Sequence, residues 1–185
     1  MTARQIGGTE RIGAAERAMR GCAEAAERLR GAGVPAEALA EYVAPKRVLL
    51  WTRPATMRSL GEAWRIGPLL LGAAGELYAL GHATRAAERG RPGYQSLSRE
   101  ARREIAAAAL RGGYSDGTPV NYDAVRIPLS AEESLEASDH SPELPVGYAD
   151  GEFRVRWQPG APLQGAPTLA DFLAERIELL IAPPF

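Results

Sequence analysis

The chain has 185 residues, with 22 Lys and Arg against 23 Asp and Glu, a net charge of −1, one Cys and two His. That balance excludes the basic excess of a dedicated nucleic-acid binder. The single Cys22 excludes an internal disulfide and fits a reducing compartment. No apolar run reaches the roughly 18 residues that a membrane span needs, so no membrane partner is expected. The first eight residues lack the apolar stretch of a secretory signal, and the expected location is cytoplasmic. Lys46 is the only lysine beside 21 arginines. GC-rich codon usage accounts for that bias, which weakens any arginine-rich stretch as the sign of an anion site.

The elements are expected as one α+β domain over 1–185. Antiparallel β-hairpins form one sheet, helices pack on it, and a helical pair occupies the N-terminal region 1–44. Thr9 offers an N-cap, and Gly31 and Gly33 offer stop chemistry. Between them Ile12, Ala15, Met19, Cys22, Ala26 and Leu29 recur at spacings of three and four. This narrow stripe of small side chains admits a close neighbouring helix, either from the same domain or from a second copy dimerising through residues 9–31. Pro35 then opens a short second helix with Leu39, Tyr42 and Val43 inward, which Ala44-Pro45 ends.

Region 45–129 reads as a hairpin plus a helix. Val48-Leu49-Leu50-Trp51 is a short buried run. Trp64–Ile66, Leu69–Leu71 and Leu77–Thr84 form strands around the glycine-bounded turn Gly72–Gly75, with Pro68 at a strand end, bulge or edge. Residues 86–97 form a loop, and Ser98 caps a helix that Gly112-Gly113 ends. A turn is expected at Asn121, Tyr122 and Asp123, followed by a strand near 124–129. Residues 130–145 are acidic, poor in large apolar side chains, and read as a mobile loop. Region 146–185 holds a second hairpin around Ala149-Asp150-Gly151 and a Pro/Gly-rich connector over 158–167. Thr168 then caps a last helix with Leu169, Phe172, Leu173, Ile177, Leu180 and Ile181 on its buried face.

Motifs with a defined chemistry are missing: there is no G-x-S-x-G elbow, P-loop, H-E-x-x-H or paired C-x-x-C. Cys22 sits on an apolar helix stripe and reads as a packed thiol. His82 and His140 lack metal-like spacing, so no metal and no cofactor is expected. The most suggestive stretch is Arg89–Ser98. It places arginines, a phenol, an amide and hydroxyls before a helix N-terminus, where free N–H groups and the helix dipole favour an anion. Arginine there offers bidentate geometry to a carboxylate or phosphate. The expected ligand-binding residues are Arg91, Tyr94, Gln95, Ser96 and Ser98, with Arg65 added from a neighbouring strand. The plain alternative is that Ser98 only caps the helix and Arg91 pairs with a nearby Glu. Residues 85–111 carry seven Arg and three Glu, whereas 130–152 carry seven acids and no Lys or Arg. The acidic loop is therefore expected near the basic helix, muting its field.

Arg58-Ser-Leu-Gly-Glu-Ala-Trp-Arg-Ile-Gly-Pro-Leu-Leu-Leu71, Arg91-Pro-Gly-Tyr-Gln-Ser96 and Val120-Asn-Tyr-Asp-Ala-Val125 resemble a group of short, uncharacterised bacterial proteins, some labelled glutaminase. The resemblance covers residues 40–130 and implies no particular catalytic residues. A Ser-x-x-Lys amidase needs a serine three before a lysine, and Val43 holds that position before Lys46. A Cys/His amidase would have to draw on Cys22.

The expected function is a cytosolic, non-enzymatic protein binding a small acidic ligand or a protein partner. One alternative is a small metal-independent hydrolase or amidase using Tyr122 and Asp123 with His82 as base. Another is a structural subunit dimerising through the first helix.

Overall fold

The computed structural model describes residues 3–48, 50–90, 96–129 and 143–183. In chain order the elements are α1 (Ala3–Gly31), β1 (Glu37–Val43), β2 (Lys46–Val48), β3 (Trp51–Arg53), β4 (Thr56–Ile66), β5 (Leu69–Gly72), β6 (Leu77–Ala79), β7 (His82–Arg85), α2 (Leu97–Arg111), β8 (Pro119–Tyr122), β9 (Val125–Arg126), β10 (Val146–Ala149), β11 (Glu152–Val155) and α3 (Leu169–Ile181). The chain is an α+β protein and divides into two compact units, one of residues 1–35, 64–79 and 126–185, the other of 36–63 and 80–125. The long strand β4 contributes its last residues to the first unit and the rest to the second.

In the first unit the strand order is β4-β5-β6-β9. Leu69, Leu70 and Leu71 are fully buried, as are Ile66 and Leu77. The β4–β5 connection is Gly67-Pro68; Gly67 has φ 56°, the positive value that the first position of a II′ hairpin turn requires. Helix α1 runs beside α3, and the pairs Arg28–Glu178 and Arg17–Glu152 tie it to α3 and β11. The buried face of α1 is made of small residues, Ala14, Ala15, Ala18, Cys22, Ala25 and Ala26, closing on Leu29. Small side chains let helix backbones approach closely. The helix ends in a Schellman motif: the Gly33 N–H bonds Arg30 O at 3.0 Å, Val34 N–H bonds Leu29 O at 3.0 Å, and Gly33 has φ 69°. At the other end of the unit Thr168 caps α3, its hydroxyl accepting the Asp171 N–H at 3.2 Å.

In the second unit the order is β7-β8-β1-β4. Its core joins Ala40, Met57, Ala86, Ala109, Val120 and Tyr122. Strand β1 lies between β4 and β8, antiparallel to the first and parallel to the second. A bulge between Leu39 and Ala40 leaves Leu60 without an opposite residue. Helix α2 has Ser96 at its N-cap and buries Ala107, Ala108 and Ala109. Its Arg111 Nε donates to Ala55 O at 2.6 Å.

Several expectations need correction. The second helix of the N-terminal pair is strand β1, because three apolar residues at helical spacing cannot outweigh pairing on both edges. The sheets are mixed, since β1 and β8 run parallel, and β10–β11 and β2–β3 pair as separate two-stranded sheets. Helix α1 begins at Ala3, passing through Gly7 and Gly8, instead of starting at Thr9. Ile12 and Met19 are exposed, and the rest of the small-residue stripe is buried, with α3, β11 and β5 packed on α1. Asn121 and Tyr122 lie in β8 instead of a turn; the Asn121 amide is buried and donates to Glu37 Oε2 at 2.7 Å. The strand near 124–129 shrinks to the two residues of β9. Leu50 and Trp51, read as buried, are exposed. The acidic stretch 130–142 lies outside the described residues.

Candidate functional site

Arg91, Tyr94 and Gln95 lie outside the described residues. Ser96 and Ser98 stand together and exposed at the start of α2, their hydroxyl oxygens 3.1 Å apart. Ser96, not Ser98, is the N-cap, and it caps through its carbonyl, which accepts the N–H groups of Arg99 and Glu100 at 2.9 and 3.2 Å. The basic side chains nearby have carboxylate partners on the helix itself. Arg89 reaches Glu104 at 3.3 Å, Arg103 reaches Glu100 at 3.5 Å, and Arg111 reaches Glu104 at 2.5 Å. Arg65 is exposed on β4 and belongs to the other compact unit.

His82, Tyr122 and Asp123 do converge. The His82 ring lies 5.4 Å from that of Tyr122, tilted, and the Tyr42 ring lies 6.3 Å from it. Asp123 adopts φ 52° and accepts the Tyr42 N–H on Oδ1 at 3.1 Å, so its carboxylate terminates the β1–β8 pairing. Burial, then the Asp123 charge, then Tyr42 raise the Tyr122 phenol above its ordinary range. His82 is exposed and its ring is tilted by 39° against that of Tyr122; among the described residues no hydrogen bond joins it to a hydroxyl or carboxylate. A general base must reach the proton it takes. The cluster is a packed strand end.

A cleft of about 480 Å³ lies in the first unit, lined by Pro68, the end of β11, the segment 162–167 and one face of α3. Backbone pairing builds it. The Val155 N–H bonds Pro167 O at 3.0 Å, Arg154 bridges to Thr168, and the Arg156 N–H bonds Pro145 O at 2.7 Å. Residues 156–167 therefore leave β11 and return to it as a closed loop in which Ala161 and Leu163 are buried. Gly160 and Gly165, at φ 78° and 74°, supply its two reversals. Arg154 Nη1 donates to Ala166 O at 2.5 Å and pins the returning limb.

Chemistry in the cleft comes from four side chains and one carboxylate. Arg156 is 8 % exposed and lines the wall. Arg176 lies over the Phe172 ring, 5.6 Å from its centroid, which holds its charge at the rim while the ring floors the cleft. The Trp157 indole, 77 % exposed, forms one side. Gln164 adds an amide, and Glu175 is the one carboxylate of the lining. The exposed Arg176 guanidinium favours an anion at the rim, and the aromatic and proline surfaces favour a flat apolar body attached to it.

None of these residues is among the site residues expected from the sequence. The available signal was Trp157 beside a stretch with three prolines and two φ-permissive glycines. Among the described residues no group of three or more His, Cys, Asp or Glu is placed to hold a metal ion, and no helix is long and apolar enough to cross a membrane. No family model, curated protein or solved structure matches the chain.

Proposed function

We propose that the protein is a cytosolic, non-enzymatic binding protein for a small organic anion with a flat apolar part, held in the cleft between the 156–167 loop and α3. The observation carrying this reading is the exposed Arg176 guanidinium beside the exposed Trp157 indole in one cavity of about 480 Å³. That volume falls within the ~300–1,000 Å³ usual for small-molecule sites. A charged hydrogen bond from Arg176 orients the acid group, and the indole and the Phe172 edge take the apolar body. Backbone bonds of Val155 and Arg156 fix the chain just before Trp157 ahead of the ligand, which lowers the ordering cost of binding.

The test begins with a thermal-shift screen of carboxylates, phosphates, nucleotides and amino acids, glutamine included. A ligand at one hundred times its dissociation constant stabilises the fold by about 2.7 kcal/mol, which is easily read. Arg176→Ala is then expected to weaken a carboxylate hit by about tenfold or more, the worth of one charged hydrogen bond. Arg176 is exposed, so the variant folds normally apart from losing the contact with Phe172. A hit whose affinity is the same in Arg176→Ala removes the cleft from consideration.

A further inference from the structure

Strands β1 and β4 pair up to Val43 and Thr56, and β2 and β3 pair from Lys46 and Arg53 onward. The register is the same in both ladders, so Pro45 falls opposite Pro54. Neither proline has an N–H to donate, and the ladder breaks at that rung. Beyond the break the ribbon resumes as a short two-stranded hairpin whose last rung is Val48 with Trp51.

The side chains of this hairpin are layered. At its tip Leu50 is 92 % exposed and Trp51 is 81 % exposed. One rung back stands Arg47 opposite Thr52, and two rungs back stands Lys46 opposite Arg53. With a strand rise near 3.4 Å, the three cations sit roughly 3 and 7 Å behind the apolar tip. All three are exposed, and none pairs with a carboxylate among the described residues. Residues 42–61 contain no Asp or Glu, and Arg58, the next cation along, is paired with Glu41.

We infer that this hairpin docks the protein on the surface of a bilayer containing anionic phospholipid. Trp prefers the bilayer interface, and an interfacial element places its apolar side chains about 5–10 Å deep. Cations one and two rungs behind such a tip then lie at the level of the phosphates. A protein partner would need an apolar contact and a charged one, but nothing in a protein surface demands that they be stacked in depth along the hairpin. The paired prolines interrupt the ladder between the tip and β1–β4, so β2 and β3 pair as a separate two-stranded sheet. The expectation of no membrane partner rests on the lack of a spanning run, and a hairpin reaching only the interface needs none.

The full-length protein is to be sedimented with vesicles of phosphatidylcholine and with vesicles of an equimolar phosphatidylcholine–phosphatidylglycerol mixture. Binding is expected to the mixed vesicles only, declining as salt is raised. The double variant Leu50→Ser/Trp51→Ser and the triple variant Lys46→Gln/Arg47→Gln/Arg53→Gln are each expected to lose at least tenfold in vesicle affinity with unchanged melting temperature. Trp157→Ser, in the cleft, is expected to bind vesicles like the parent. Equal sedimentation of parent and hairpin variants, absence of binding to mixed vesicles, or loss of binding in Trp157→Ser overturns the inference. Capture of an acidic protein through the hairpin by a chain that ignores vesicles overturns it too.

Discussion

Gly81→Ala is expected to destabilise the protein by about 3 kcal/mol or more, at or above the top of the range for overpacking a rigid site. Gly81 does not adopt a left-handed φ, so the requirement is for space, not conformational freedom. A Cβ there would lie 2.3 Å from the Asp123 carbonyl oxygen, and 2.4 Å from both the Asp123 carbonyl carbon and the Tyr122 oxygen. These are backbone atoms, and no rotamer change relieves the overlap. Moving them opens the His82–Tyr122 end of the β7–β8 pairing and the Asp123 bond to Tyr42. Gly21 gives the opposite result. It lies inside α1, and a methyl group added there would meet nothing within 4 Å, so Gly21→Ala is expected to stabilise by about 0.5–1 kcal/mol. Urea midpoints of the two variants check both signs; a Gly81→Ala protein as stable as the parent contradicts the packing described for β7 and β8.

Alkaline unfolding is the second large effect. Burial of Cys22 on the α1 face pushes its thiol up to about 12 from 9.0. Below pH 9 the thiol is protonated in folded and unfolded chains alike. Between pH 9 and about 12 the unfolded chain releases a proton that the folded chain retains, so each pH unit removes about 1.4 kcal/mol of stability. Tyr78 and Tyr122 act in the same direction above pH 10, since burial raises both phenols. Cys22→Ala is expected to start slightly less stable at pH 7 and to lose stability more slowly than the parent between pH 9 and 11. Parallel urea-unfolding curves for parent and variant across that interval would show that the thiol is not buried as described.

Much of the fold was legible because its signals are local. Thr168 sits three residues before Asp171 ahead of an apolar run, and Asp150-Gly151 stands between two strands with both residues at positive φ, as a tight hairpin demands. Gly33 after a charged helix end announced the stop of α1. Residues 37–43 misled because Leu39, Tyr42 and Val43 fit a helix turn as well as a strand, and only the partners β4 and β8 decide between them. The run Val48–Trp51 misled for a related reason: composition marks it as apolar, while the exposure of Leu50 and Trp51 goes with β2 and β3 pairing as a separate two-stranded sheet. The cleft was illegible because the 158–167 segment has the composition of a linker. What makes it a wall is the return of Pro167 to Val155 across a dozen residues, a pairing that no local pattern encodes.

Hydrogen–deuterium exchange with and without the best ligand of the screen tests the central claim most directly. Ligand held in the cleft predicts slowed exchange in 156–167 and in the first turns of α3, with amides at the start of α2 unchanged. Protection confined to residues 89–100, with the 156–167 loop exchanging as in the free protein, would contradict the assignment and return the site to the loop before α2.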